Sequence, residues 1–317
     1  MKNALSYWKR YDLIYKHFSY KKIYEKILGF AKNLGDPFTR KSKKGPKFKI
    51  NPYEYAAYIA FETVTHNSPY RDMELGSELY VRCHIDHSTF GKNFIKTPIT
   101  YFMELLQMTS QFLEKLLGTA CCYIADSTGI VTNTFYDTEH QGKSIRRRLD
   151  YKAHSLVGYY PDKGITYIKE GLGTDKHTSD SGGAIKMLKN YSLGWAYFLG
   201  DSGFDFTQLH NKVREKGLYP LIKPRKDNAK GIRAKHREGF IESLYKELRH
   251  VVETIFGGLE NKGLLRTKLR RADTICKHGV VLQIRHNLQQ IMKIAVEQLL
   301  RCIYSTNSIT FLNLPSL

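Results

Sequence analysis

Two short apolar runs, residues 119–125 and 195–200, each stop at an aspartate, and they constrain the fold more than any other feature of the chain. An uninterrupted apolar run of that length, bounded by turn residues, reads as a buried strand. Residues 129–135 add a β-branched strand. Residues 152–160 and 165–172 predict two more, joined by the turn Pro161-Asp162-Lys163-Gly164, and residues 219–222 a last short one. Helical stretches separate the later strands at 178–190, capped by Thr178 or Ser179, and at 206–216. This succession predicts an α/β fold, a mixed sheet with helices on its faces.

Residues 1–118 have a different texture. Residues 39–49 form a basic linker, a helix starts near Pro52, and residues 99–118 carry Phe102, Leu105, Leu106 and Leu113 on a helical stripe closed by Gly118. Two segments are therefore expected, a helical one over 1–118 and an α/β one over 119–317. Within the second, residues 223–239 carry seven Lys or Arg and almost nothing apolar, which predicts an exposed loop. A helix over 240–256 is expected to end at Gly257-Gly258, and a final helix covers 271–302.

Charge narrows the function. Fifty Lys and Arg against thirty Asp and Glu leave +20, with a pI near 9.6. Such an excess favours a polyanionic partner, because Lys and Arg displace the counterions condensed on nucleic-acid phosphates. A membrane surface is the competing partner, but no basic amphipathic helix or lipidation signal is present, and no apolar run approaches the ~18 residues of a bilayer span. Five scattered cysteines without a C-x-x-C pair, and a start without a signal-like apolar stretch, predict a reducing cytoplasm, here in association with the nucleoid. The helical first segment then has two readings, a small bundle or a DNA-end-binding domain; no helix-turn-helix spacing stands out.

Asp126 ends the first strand and Asp201 the run 195–200, while Glu253 lies on the helix over 240–256, one turn after Arg249. Leu244, Leu248, Val252, Ile255 and Phe256 form that helix's apolar face, so Arg249 and Glu253 fall together on its edge. A helix packed on the sheet would aim them along the rim from which the two aspartates project. Any one carboxylate would be an ordinary turn or surface residue. Three hard oxygen donors converging from separate elements suit a pair of divalent cations ~3.5–4 Å apart.

Four stretches carry a family resemblance. They are Tyr123-Ile124-Ala125-Asp126-Ser127-Thr128-Gly129, residues 175–188, Phe198-Leu199-Gly200-Asp201-Ser202-Gly203-Phe204-Asp205, and Arg249-x3-Glu253-x2-Phe256-x2-Leu259. Together they resemble the insertion-sequence DDE transposases of bacteria and archaea, in the group whose families are numbered four and five. A fifth stretch, residues 84–90, is similar to that group's helical N-terminal region. Spacings of 74 residues between Asp126 and Asp201 and 51 between Asp201 and Glu253 leave no room for a large inserted domain.

The resemblance implies an RNase H-like catalytic core with a helical N-terminal region. It also implies a transposase in which Asp126, Asp201 and Glu253 hold two Mg²⁺ or Mn²⁺ ions, cut phosphodiester bonds at transposon ends and join the 3′-hydroxyls to target DNA. The implied partners are double-stranded DNA, as terminal inverted repeats and target, and a second copy of the chain in the synaptic complex. Arg249 would contact a phosphate. The basic segments add Arg146, Arg147, Arg148, Lys223, Arg225, Lys226, Lys230, Arg233, Lys235, Arg237 and Lys262 as candidate DNA contacts. The group's pattern is Y-x2-R-x3-E-x6-K. Here Lys246 stands at the Tyr position with Tyr245 one residue early, and Glu260 at the Lys position.

Other motifs are weaker. Gly142-Lys143-Ser144 looks like the end of a phosphate-binding loop, but Asp137 stands where its first glycine should be. Cys83, His84, Asp86 and His87 lack structural-zinc spacing, and a solvent-facing or capping role is expected of them. His154 is expected as a satisfied histidine of the core or rim. The rival to an active enzyme is a catalytically silent, transposase-derived DNA-binding protein.

Overall fold

A computed structural model describes residues 19–39, 47–140, 143–190, 194–227, 230–261 and 263–305. Five helices lead: α1 (Tyr20–Leu34), α2 (Pro52–Thr65), α3 (Tyr70–Tyr80), α4 (His87–Lys96) and α5 (Ile99–Leu117). Local chemistry sets their ends. Ser19 caps α1, Asn51 and Glu54 form a capping box ahead of Pro52, and Gly118 closes α5 at φ 85°.

The sheet follows: β1 (Cys122–His140), β2 (Lys143–Tyr160), β3 (Ile165–Asp175), β4 (Tyr197–Gly200), β5 (Tyr219–Ile222) and the two-residue β6 (Arg266–Thr267). Helices α6 (Asp180–Met187), α7 (Thr207–Glu215), α8 (Ile232–Glu238), α9 (Glu242–Glu260) and α10 (Ala272–Ser305) complete the chain. Strand order is β3-β2-β1-β4-β5, with β6 pairing beside β1. The first three strands are antiparallel neighbours, whereas β4 runs parallel to β1 and β5 parallel to β4. This is the mixed sheet of an RNase H-like core.

Four expectations are corrected. The strands expected at 119–125 and 129–135 are one long strand, β1, because Ser127, Thr128 and Gly129 stay paired to His154, Ala153 and Lys152 instead of turning. Trp195 lies outside β4 and is exposed; the strand begins at Tyr197. Residues 223–239 are not simply a loop, since α8 forms within them and buries His236. Helix α9 runs through Gly257 and Gly258 to Glu260, because Phe256 and Leu259 continue its buried face. The cost of helical glycine, about 1 kcal/mol each, is smaller than the gain from burying those two side chains.

One apolar core joins the leading helices to the sheet, and α10 packs along β3, α5 and α2. That helix comes close: a Cβ on Gly173 would stand 2.1 Å from the carbonyl oxygen of Cys276. Lys169 is the extra residue of a bulge in β3, and the Asn287 amide serves the neighbouring backbone, accepting from Ile168 N at 2.6 Å and donating to Ile168 O at 2.9 Å. Among the described residues no helix is long and apolar enough to cross a membrane, and Cys83, Cys121, Cys122 and Cys276 are free thiols. Cys302 lies outside the described side chains.

Candidate active site

Strand register brings the two aspartates together. Ile124 of β1 lies opposite Leu199 of β4 in parallel pairing, so Asp126 and Asp201, each two residues further on, lie level with each other where β4 ends. Asp126 continues into the strand, largely buried, and its Oδ1 accepts from Ser127 N at 2.9 Å. Asp201 ends its strand and caps the short 3-10 turn Ser202–Phe204, its Oδ1 accepting from Gly203 N at 2.7 Å.

Helix α9 supplies the third side of the site. Arg249 Nη2 donates to Asp126 Oδ2 at 3.0 Å, while Arg249 Nε and Nη1 are buried without a hydrogen-bond partner. Burial pushes the Asp126 carboxyl above the usual carboxylate range; the Arg249 guanidinium pulls it down, and the charge of nearby Asp201 pushes it up again. Tyr245, one turn before Arg249, is buried and faces the same group. Burial raises its hydroxyl, Arg249 opposes that, and Asp201 and Asp126 reinforce it. The tyrosine displaced by one residue in sequence thus still lies beside the site. Lys246, at the expected tyrosine position, is exposed and pairs with Glu242 at 2.8 Å.

Glu253 is different. It lies on the same flank of α9 one turn past Arg249, but it is exposed. Among the described residues the three carboxylates do not close to within 4.8 Å of one another; Glu74, Asp86 and His87 are the set that does. Asp86 and Glu74 serve the start of α4. Asp86 is the N-cap of α4 and accepts from Ser88 N at 2.8 Å, and Glu74 accepts from His87 N at 3.1 Å.

The basic candidates divide into two groups. Lys223, Lys226, Lys230 and Lys235 are exposed. Arg225, Arg233 and Arg237 are instead tied to buried or local acceptors. Arg233 forks onto Asp205 at 3.0 and 2.8 Å and reaches Asp227 at 2.8 Å. Arg225 donates its backbone N–H to Asp205 at 2.9 Å and its Nε–H to Ser202 O at 2.8 Å, and its guanidinium lies 3.9 Å over the Phe206 ring. Arg237 meets Asp227 at 3.1 Å. Asp205, 2% exposed, is the hub and also meets His210 at 3.0 Å. It was not singled out in sequence, although an acidic residue four positions after Asp201 and a following Arg-rich run are the signal. Side chains of Arg146, Arg147 and Arg148 lie outside the described ones, and Lys262 lies outside the described residues.

His154 is buried, with Nε2 on Thr174 Oγ1 at 2.8 Å, but its Nδ1 has no hydrogen-bond partner, so it is only half satisfied.

A family model described as "Transposase DDE domain" matches residues 118–288, more than half of the chain. The chain belongs to the DDE transposase family. The match takes in Asp126, Asp201, Arg249 and Glu253, all five long and short strands of the main sheet path, and the start of α10. No curated protein matches the chain. Among solved structures it is similar to a piggyBac transposase synaptic complex with hairpin DNA, at 9% identity and a TM-score of 0.37, over 91% of this chain and 80% of that one.

Proposed function

We propose that this member of the DDE transposase family is an active DNA transposase, which cuts phosphodiester bonds at transposon ends and joins the freed 3′-hydroxyls to target DNA. The observation that carries the reading is the parallel register that sets Asp126 beside Asp201, with Arg249 of α9 drawn onto Asp126. Two adjacent carboxylates are a hard oxygen donor set that fits Mg²⁺ or Mn²⁺. Asp126 and Asp201 would hold such ions, two in number, with Glu253 joining from α9. Bound there, the cations supply Lewis-acid activation of the attacking oxygen and stabilisation of the leaving one.

The chain's own residues do the rest. Asp126 and Asp201 are fixed by backbone N–H groups, so their geometry is set before DNA arrives. Arg249 keeps two buried donor nitrogens without a partner, and its fixed positive charge beside Asp126 suits a DNA phosphate. Tyr245 packs beneath it. Exposed Lys223, Lys226, Lys230 and Lys235 lie in one segment and would follow the DNA backbone, and the net charge of +20 supports a polyanion partner. In this reading residues 1–118 hold transposon-end DNA, and two copies act together so that both ends are processed.

The test is cleavage of end-containing duplex DNA with Mg²⁺ by wild type and by Asp126→Ala, Asp201→Ala and Glu253→Ala. Loss of cleavage in all three is expected. A variant that cuts as well as wild type removes its residue from the ligand set. DNA binding without cleavage by the wild type would instead favour a silent, transposase-derived binding protein.

A further inference from the structure

Asp180 is an acidic residue on the first turn of α6, where an aspartate ordinarily does no more than favour the positive end of the helix. That task is already filled, since Ser179 caps α6 by accepting from Gly182 N at 3.1 Å. The Asp180 side chain is turned to the sheet instead. Its Oδ1 accepts from Ser127 Oγ at 2.7 Å and from Lys152 Nζ at 2.9 Å. Ser127 is the residue after Asp126, and its own N–H holds the Asp126 carboxylate.

The other oxygen lies toward Gly203. A Cβ placed on Gly203 would stand 2.9 Å from Asp201 Oδ1 and 3.9 Å from Asp180 Oδ2, so the two carboxylates approach the same point above Gly203. A third observation marks the place as polar by construction. His154, its side chain 1% exposed, lies with Nδ1 4.0 Å from Asp180 Oδ1, and that nitrogen has no hydrogen-bond partner. A buried ring nitrogen without a partner is costly, and it persists where a polar occupant completes it. Gly183 permits the arrangement, because a Cβ there would meet His154 Nδ1 at 2.5 Å.

We infer that Asp180 is a positioning residue of the active site: through Ser127 it fixes the Asp126 carboxylate, and its charge adds to the field that draws divalent cations between Asp126 and Asp201. This rests on the reading of those two aspartates as metal ligands. Lys152 offsets part of that charge, so the Asp180–Lys152 pair sets how strongly the site attracts a cation. The sequence gap of 53 between Ser127 and Asp180 hides the relation until the sheet is built.

Mn²⁺ binding to the full chain, by titration calorimetry and by the loss of the free-ion paramagnetic resonance signal, tests this. Asp180→Asn keeps an oxygen for Ser127 and Lys152 and removes the charge. It is expected to weaken Mn²⁺ binding by about tenfold or more, the usual effect of losing a group that orients a metal ligand. Asp180→Glu is expected to restore most of it, which a purely structural role would not require. Asp180→Asn binding Mn²⁺ as wild type does, while Asp126→Asn is impaired, would overturn the inference and leave the metal reading standing. Unchanged binding in both Asp126→Asn and Asp201→Asn would remove the metal reading itself. Should Asp180→Asn fail to fold, Lys152→Met decides: Mn²⁺ binding about threefold tighter is expected from removing the neutralising cation, and equal or weaker binding counts against the idea.

Discussion

The Arg249 guanidinium stands 3.0 Å from the Asp126 carboxylate, with its Nε and Nη1 buried and unpartnered. Without a divalent cation this is the charge that compensates Asp126 on a face where burial disfavours the ionised form. Arg249→Ala is therefore expected to lower stability by about 1–2 kcal/mol in metal-free buffer, less than for a fully buried pair because both side chains keep an edge in solvent. Adding Mn²⁺ should raise the melting temperature of the variant more than that of wild type, since the ion takes over the compensation. Equal shifts in the two proteins, measured by circular dichroism melts, would show that the arginine does not stand in for a cation.

Asp201 and Glu253 separate by the same logic. Asp201 is a cap for its own 3-10 turn, so Asp201→Ala should cost about 1 kcal/mol besides abolishing cleavage. Glu253 is exposed and its replacement by alanine should leave the melting temperature unchanged while also abolishing cleavage. A destabilised Glu253→Ala protein would mean that this side chain serves the fold.

The fork of Arg233 on Asp205 is structural. Asp205→Ala leaves Arg233 at the edge of a buried site without its partner, along with the Arg225 N–H and His210. A loss of about 3 kcal/mol or more is expected in denaturant titrations. Hydrogen bonds from Arg233, Arg225 and His210 outweigh burial and hold the Asp205 carboxyl below the usual range. Its contribution is thus complete above the ordinary aspartate pKa and fades only as pH falls through the lower folded value. A wild type and an Asp205→Asn variant whose stabilities converge already near pH 5 would contradict this.

How much of this was written in the sequence depends on distance along the chain. Asp201 was legible as a strand end because an apolar run and the residue that stops it are neighbours; Asp126 follows such a run too, but its strand continues. The helix edge shared by Arg249 and Glu253 was legible because helical period is a local property. The continuity of β1 through Ser127-Thr128-Gly129 was not, since turn-forming residues were overruled by pairing with His154, Ala153 and Lys152 of β2, far along the chain. Arg225 and Arg233 read as a solvated run for the same reason: Asp205, their shared anchor, precedes them and is separated from them in sequence by a helix and a strand. Tyr245 stands one residue early for the motif, yet it precedes Arg249 by four residues, about one helical turn, and side chains so spaced meet.

Acid should loosen the junction between α10 and the rest of the molecule. His278 and His286 on that helix are buried, and burial lowers both imidazoles to about 4, against accepting carbonyls of Leu264 and Thr166 that pull the other way. Between the ordinary histidine pKa of about 6.5 and a folded value of about 4, the unfolded chain binds protons that the folded one refuses. Stability therefore falls as pH drops through that window, by on the order of 3 kcal/mol for each histidine. His286→Gln, which keeps a polar group for Thr166 but cannot titrate, should flatten the acid limb of the stability curve between about pH 6.5 and 4. Urea titrations at several pH values read this directly. A variant whose acid limb is as steep as that of wild type would show that the imidazole is not what takes up the proton.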